Sequence, residues 1–72
     1  MGSKYPLLRP RKIIAALSKK GFWHKSTKGS HAKYTDGKQT AVIPMHNLVD
    51  RWTLKDILDQ ANMELDEFLK LL

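Results

Sequence analysis

The stretch "FWHKSTKGSHAKYTDGKQTAVIP", residues 22–44, decides the fold. It divides into three short runs carrying aromatic, β-branched and lysine residues, separated by pairs that contain glycine. "FWHKS" reads as a first strand, "KG" as a break, "SHAKYT" as a second strand and "KQTAVIP" as a third. The Asp36-Gly37 pair is a strong hairpin signal, because a two-residue primed turn needs positive φ at both central positions. The second and third strands are therefore expected to be antiparallel neighbours. Pro44 has no N–H to give to a ladder and ends the third.

Upstream, Pro10 to Lys20 reads as a helix. Proline suits the first helical position, Ile13, Ala16 and Leu17 recur at helical spacing, and Gly21 stops the run. Lys19 and Lys20 fall in the last turn, where the helix dipole favours cations, so their plainest role is structural. Downstream, "MHNLVDR" is a loop. Thr53 is expected to cap the next helix, with Asp56 completing a short-armed capping box and Trp52 packing on Ile57 as a hydrophobic staple. Leu54, Ile57, Leu58 and Ala61 form one apolar stripe, and Asn62 is a left-handed stop. The spacing returns at Leu65, Phe68, Leu69 and Leu72, giving a short closing helix with Asp66 and Glu67 near its start.

The order is helix, three strands, helix, short helix, an α+β arrangement in which helices cover one face of an antiparallel sheet and leave the other to solvent. With 72 residues the chain is read as one domain over 1–72, its first six residues a flexible start. There is no cysteine, so neither a disulfide framework nor a thiolate metal site is available. No apolar run approaches the roughly 20 residues that span a bilayer, and no secretory signal opens the chain, so a cytoplasmic location without a membrane partner is expected. The net charge of +6 is uneven. Ten Lys/Arg against Asp36 alone give +9 up to Thr40, whereas three basic and six acidic residues give −3 from Ala41 onward. Such a basic half suits a polyanion, or else is ordinary solubilising charge.

Phosphate-binding glycine loops, HExxH, paired Cys/His spacings and Ser/His/Asp arrangements are missing from the sequence, and no metal or other cofactor is expected. One reaction on nucleic acid needs no protein nucleophile, because the 2′-hydroxyl of RNA can attack the neighbouring phosphorus itself. The protein must then supply a proton acceptor or donor, positive charge and alignment. Histidine, with a reference pKa of about 6.5, is the side chain suited to that exchange near neutral pH. In "KGSHAK" strand alternation puts His31 and Lys33 on one face and Ser30 and Ala32 on the other. Lys28 and Gly29 precede them, and a glycine there lets backbone come close to a phosphate. On residue chemistry alone His31 stays open between a surface strand residue and a proton-transfer group. His24 reads as a partly buried strand residue, and His46, after "IPM", as a loop residue that shapes or binds.

"GF", "KGSH", "DG", "IPMH", "TLKDILDQA" and "ELDEFLKLL" occur in this order, and in them the chain resembles the HicA family of bacterial toxins from about Pro10 to Leu72. The resemblance implies a fold like the double-stranded RNA-binding domain. It also implies a metal-independent, mRNA-cleaving endoribonuclease, an mRNA interferase, silenced by a cognate HicB-type antitoxin that covers the basic face. The family's catalytic histidine in its G-S-H motif maps onto His31, with Gly29 and Ser30 before it, and Lys25, Lys28 and Lys33 become candidates for phosphate contact. Family members often carry a basic, glycine-containing turn before the second helix, where this chain has "LVDRWTL". They also often carry an arginine late in the first strand, where it has Ser26 and Thr27 between lysines. The alternative reading is a non-catalytic RNA-binding module of the same fold, and a third is an interaction protein whose basic face meets an acidic partner.

Overall fold

Proline at the first helical position and apolar residues three and four apart start the chain's first helix where the sequence places it. The computed structural model describes residues 5–72, in the order α1 (Pro10–Lys19), β1 (Trp23–Lys28), β2 (His31–Thr35), β3 (Thr40–Pro44), α2 (Arg51–Gln60) and α3 (Leu65–Leu71). This is the expected α+β order. Residues 1–4 of the expected flexible start lie outside the described residues, and Tyr5 packs against the core.

Pro10 occupies the start of α1, and Ile13, Ala16 and Leu17 turn inward. At its other end Lys19 Nζ donates to the Leu71 carbonyl at 2.9 Å, and Lys20 pairs with Glu67. Both lysines therefore tie α1 to α3. The core joins these α1 residues to Phe22, to Ala41 and Ile43 of β3, to Leu54, Ile57 and Leu58 of α2, and to Leu65 and Phe68 of α3.

Two helix details differ from expectation. Asp50, not Thr53, caps α2: its Oδ1 accepts from the Thr53 N–H at 2.8 Å, and its carbonyl accepts from Leu54 N–H at 2.9 Å. The helix thus begins two residues before Thr53, because the Asp50 carboxylate reaches the Thr53 N–H, one of the first-turn donors that have no partner within the helix. Trp52 then falls in the first turn, is 72 % exposed and forms no staple. In α3 the inward row is Leu65 and Phe68, with Leu71 partly buried against the core, whereas Leu69 and Leu72 are 37 % and 49 % exposed. The helix ends at Leu71, so Leu72 lies beyond the last turn that could carry it inward. Asn62, at φ 56°, is the left-handed stop the sequence implies.

The sheet order is β1-β2-β3, antiparallel throughout. Ala32 faces Ile43 and Tyr34 faces Ala41 across the inner face, while His31 faces Pro44 and Lys33 faces Val42 across the outer one. Cross-strand partners share a face, so His31 and Lys33 stand together as the alternation implied. β1 is more exposed than a strand half-covered by helices should be: all six of its residues are exposed. His24 is among them, so it is not partly buried. Its ring meets Tyr34 edge to face at 5.4 Å, and its Nε2 lies 2.6 Å from Thr27 Oγ1.

The two hairpins exchange the roles the sequence suggests. Thr35 pairs with Thr40, leaving a four-residue loop in which Gly37 (φ 97°) alone has positive φ. Asp36 Oδ1 accepts from the N–H groups of Lys38 and Gln39, at 2.9 and 2.7 Å, and Thr35 Oγ1 donates to the Gln39 carbonyl at 2.7 Å. The aspartate side chain closes this loop, and no two-residue primed turn forms. The tight turn lies instead at Gly29-Ser30: Lys28 pairs with His31, and φ is positive at Gly29 (60°) and not at Ser30. Those φ signs are the ones a type II′ turn requires, with glycine first.

Candidate functional site

His31 is the first residue after the Gly29-Ser30 turn, so its position follows from a glycine that can hold positive φ. A Cβ added at Gly29 would meet nothing within 4 Å, which leaves backbone near the turn open to a ligand. The strand end is fixed on its other side as well. Met45 N–H donates to the Ser30 carbonyl at 2.6 Å, extending the β2–β3 ladder one step past the pairing of His31 with Pro44.

Beyond β3 the chain crosses back over the first segment. Val49 N–H donates to the Leu8 carbonyl at 2.7 Å in an isolated antiparallel bridge. The loop between β3 and α2 is therefore held at both ends, and Asn47, at φ 45°, turns it. Two hollows meet on this loop. A groove of about 520 Å³ runs between the end of β2, the outer side of β3 and α2; His31, Val42, Pro44, His46, Asp50 and Asp56 are among its lining residues. A second cleft of about 550 Å³ is lined by Arg9, Arg11, Lys12 and, again, His46 and Asn47.

The residues expected to form the site do not all converge. Lys28, Gly29, Ser30 and His31 share one tight turn, and Lys33 stands on the same sheet face as His31, two residues along β2. Lys25 lies at a bulge, where the β1–β2 register shifts between His24 and Ser26, away from that turn. None of the three lysines lines the groove of His31. All three are exposed and, among the described residues, without a hydrogen-bonding or ionic partner, unlike Lys19 and Lys20. The basic residues that do reach the loop beside His31 are Arg9, Arg11 and Lys12, which sequence reasoning did not assign to the site. Nothing local places residues 9–12 beside residues 45–47; the "RPRK" charge run was visible, but its neighbour depends on the Leu8–Val49 bridge.

Of the groove's carboxylates, Asp50 is held by the hydrogen bond from Thr53 N–H, which keeps its carboxyl below the ordinary aspartate pKa. It stays an anion and an acceptor. The imidazoles of His31 and His46 have no hydrogen-bond partner among the described residues, so their ring nitrogens are available to a ligand. No three His, Cys, Asp or Glu side chains gather as a metal-ion site among the described residues. No helix of the described residues is long and apolar enough to cross a membrane.

The family model described as HicA toxin of bacterial toxin-antitoxin matches residues 10–63. That span covers every element except α3, and it includes both histidines of the groove. No curated protein matches the chain.

Proposed function

Because the chain belongs to the HicA toxin family and is thus the toxin of a toxin–antitoxin system, we propose that it is a metal-independent endoribonuclease acting on mRNA, with His31 moving a proton in the cleavage step. The observation that carries this reading is the exposed imidazole of His31 on one rigid turn, bordering a groove and flanked by the free lysines of its own hairpin. In the reaction the 2′-oxygen loses its proton as it attacks the adjacent phosphorus, and the bond to the 5′-oxygen breaks as that oxygen gains one. The products are a 2′,3′-cyclic phosphate and a free 5′-hydroxyl. His31 is the base or the acid of that exchange.

Lys28 and Lys33, and more distantly Lys25, attract the RNA backbone, while Gly29 and Ser30 let a phosphate approach the main chain. A HicB-type antitoxin covers this basic face and His31, keeping the toxin silent in the cytoplasm. RNA excluded from a toxin whose His31 stays solvent-open in the complex would point to an indirect mode of inhibition instead.

The test uses purified protein and single-stranded mRNA in EDTA. Wild type cleaves, and His31→Ala, with an unchanged melting temperature, loses about 10²–10⁴-fold in rate, the usual contribution of a positioned acid or base. Equal cleavage by both proteins removes His31 from the mechanism. Salt-sensitive binding without any cleavage, weakened by Lys→Ala changes and indifferent to His31→Ala, identifies a non-catalytic RNA-binding module.

A further inference from the structure

A transesterification of RNA moves two protons, one off the 2′-oxygen and one onto the 5′-oxygen, and a single imidazole on His31 accounts for only one of them at the moment of bond exchange. We propose that His46 is the second proton-transfer group, paired with His31 across the groove. The inference rests on the nuclease reading above and extends it to a residue that reading leaves without a role.

Three observations place His46 there. It lines the same groove as His31. Its backbone is fixed relative to His31, since Ser30 and Met45 are joined by a 2.6 Å hydrogen bond and each histidine is the residue that follows one of these two. The loop that carries it is pinned at its far side by the Val49–Leu8 bond at 2.7 Å and turned by the positive φ of Asn47. The two rings thus come from separate elements, β2 and the β3–α2 loop, with no rearrangement needed to bring both to one groove. In an in-line displacement the attacking and leaving oxygens lie on opposite sides of phosphorus, so acid and base must approach from different directions. Two imidazoles on one strand could not do that as readily.

The surroundings fit the charge that develops. His46 also borders the cleft of Arg9, Arg11 and Lys12, so a phosphate between the two histidines lies beside cations that would stabilise the extra negative charge of the five-coordinate state. Imidazole gives and takes a proton near neutral pH, and of the groove's two carboxylates, Asp50 and Asp56, the first is already engaged as the cap of α2. The balance closes within the pair. One neutral ring takes the 2′-proton, the other, protonated, gives one to the 5′-oxygen, and exchange with water restores both.

The decisive experiment compares two substrates. One is an RNA oligonucleotide; the other carries sulfur in place of the bridging 5′-oxygen at the scissile linkage, so that its leaving thiolate needs no proton. His46→Ala and His46→Gln change an exposed side chain and should melt with wild type. Both are expected to slow cleavage of the ordinary RNA by about 10²–10⁴-fold. On the sulfur-bridged RNA one of the two histidine variants, at position 31 or at position 46, recovers to near the wild-type rate while the other stays slow; the recovered position is the acid. His46 variants that cleave ordinary RNA at the wild-type rate beside an inactive His31→Ala overturn the pairing and leave the nuclease reading intact. Recovery of neither variant, or of both, also overturns the pairing. Wild-type protein that cleaves neither substrate overturns the nuclease reading itself.

Discussion

The β1–β2 hairpin and the β3–α2 side of the sheet are built from the same kind of ladder but are held in place by different physics. Every residue of β1 is exposed, and in β2 Ala32 and Thr35 alone are buried. The hairpin keeps its shape through main-chain pairing and through the positive φ at Gly29. β3, in contrast, alternates with Ala41 and Ile43 in the core, and its outer edge is closed where Gln60 Oε1 accepts from the Val42 N–H at 2.7 Å. The free edge of β1 is guarded differently, by the bulge around Lys25 and by charge, both of which discourage another strand from adding there. One side of the domain is therefore held by burial, and the other presents polar chemistry. Substitutions on the two sides should separate stability from activity.

The largest break of that contrast is expected in the core. Phe68 of α3 is fully buried in the core cluster. Phe68→Ala should cost about 3–5 kcal/mol, against roughly 3–5 kcal/mol that a core in a chain of this size supplies. Circular dichroism should show a largely unfolded protein, with RNA cleavage lost along with the fold. His31→Ala is its mirror image: on the nuclease reading it is expected to slow cleavage by about 10²–10⁴-fold and to leave the melting curve in place, since exposed surface changes usually stay within about 0.5 kcal/mol.

Gly29→Ala probes the hairpin itself. A Cβ there clashes with nothing, so the cost is the backbone strain of an L-residue at φ 60°, about 1–2 kcal/mol. Relief of that strain shifts the turn that carries His31. Cleavage is expected to fall by more than the loss of stability explains, measured as rate per folded molecule. A variant with lowered melting temperature but a full rate per folded molecule would mean the turn does not position the histidine. On the other side, Gln60→Ala leaves the β3 edge N–H without its side-chain acceptor and should cost about 0.5–1.5 kcal/mol. Gln60→Glu, which keeps an acceptor, should recover most of it in chemical denaturation.

The same contrast explains what could be read from the chain. Helix α1, the three strands and the inward rows of α1 and α2 were legible because apolar periodicity and proline or glycine punctuation are local signals. The sequence favours Asp36-Gly37 over Gly29-Ser30 for the tight turn, because both pairs fit a primed turn and only the reach of the Asp36 carboxylate to two N–H groups decides between them. The exposed place of His31 on β2, on one face with Lys33, was legible from strand alternation. The grouping of His46 with Arg9, Arg11 and Lys12 was not, since it depends on a bridge between residues 8 and 49 that leaves no mark on either segment.

The smallest expected effect sharpens the burial side at its exposed rim. Thr53 N–H, and secondarily the Thr53 side chain and the Trp52 N–H, hold the Asp50 carboxyl below its reference value of 3.8. A carboxyl depressed in the folded state stabilises the fold at pH above its unfolded value, and that contribution disappears as pH falls through the lower, folded value. Asp36, depressed by the N–H groups of Gln39 and Lys38, acts in the same direction. Wild-type protein should therefore lose stability as the pH is lowered past about 4, the ordinary aspartate range. Asp50→Asn keeps an oxygen that can cap α2 and removes the titration. Its melting temperature at pH 7 should stay near that of wild type, while its decline below pH 4 should be shallower. An acid limb as steep as wild type's would show that the titration of the Asp50 carboxylate contributes nothing to it, and that the acid loss of stability arises at other carboxylates such as Asp36.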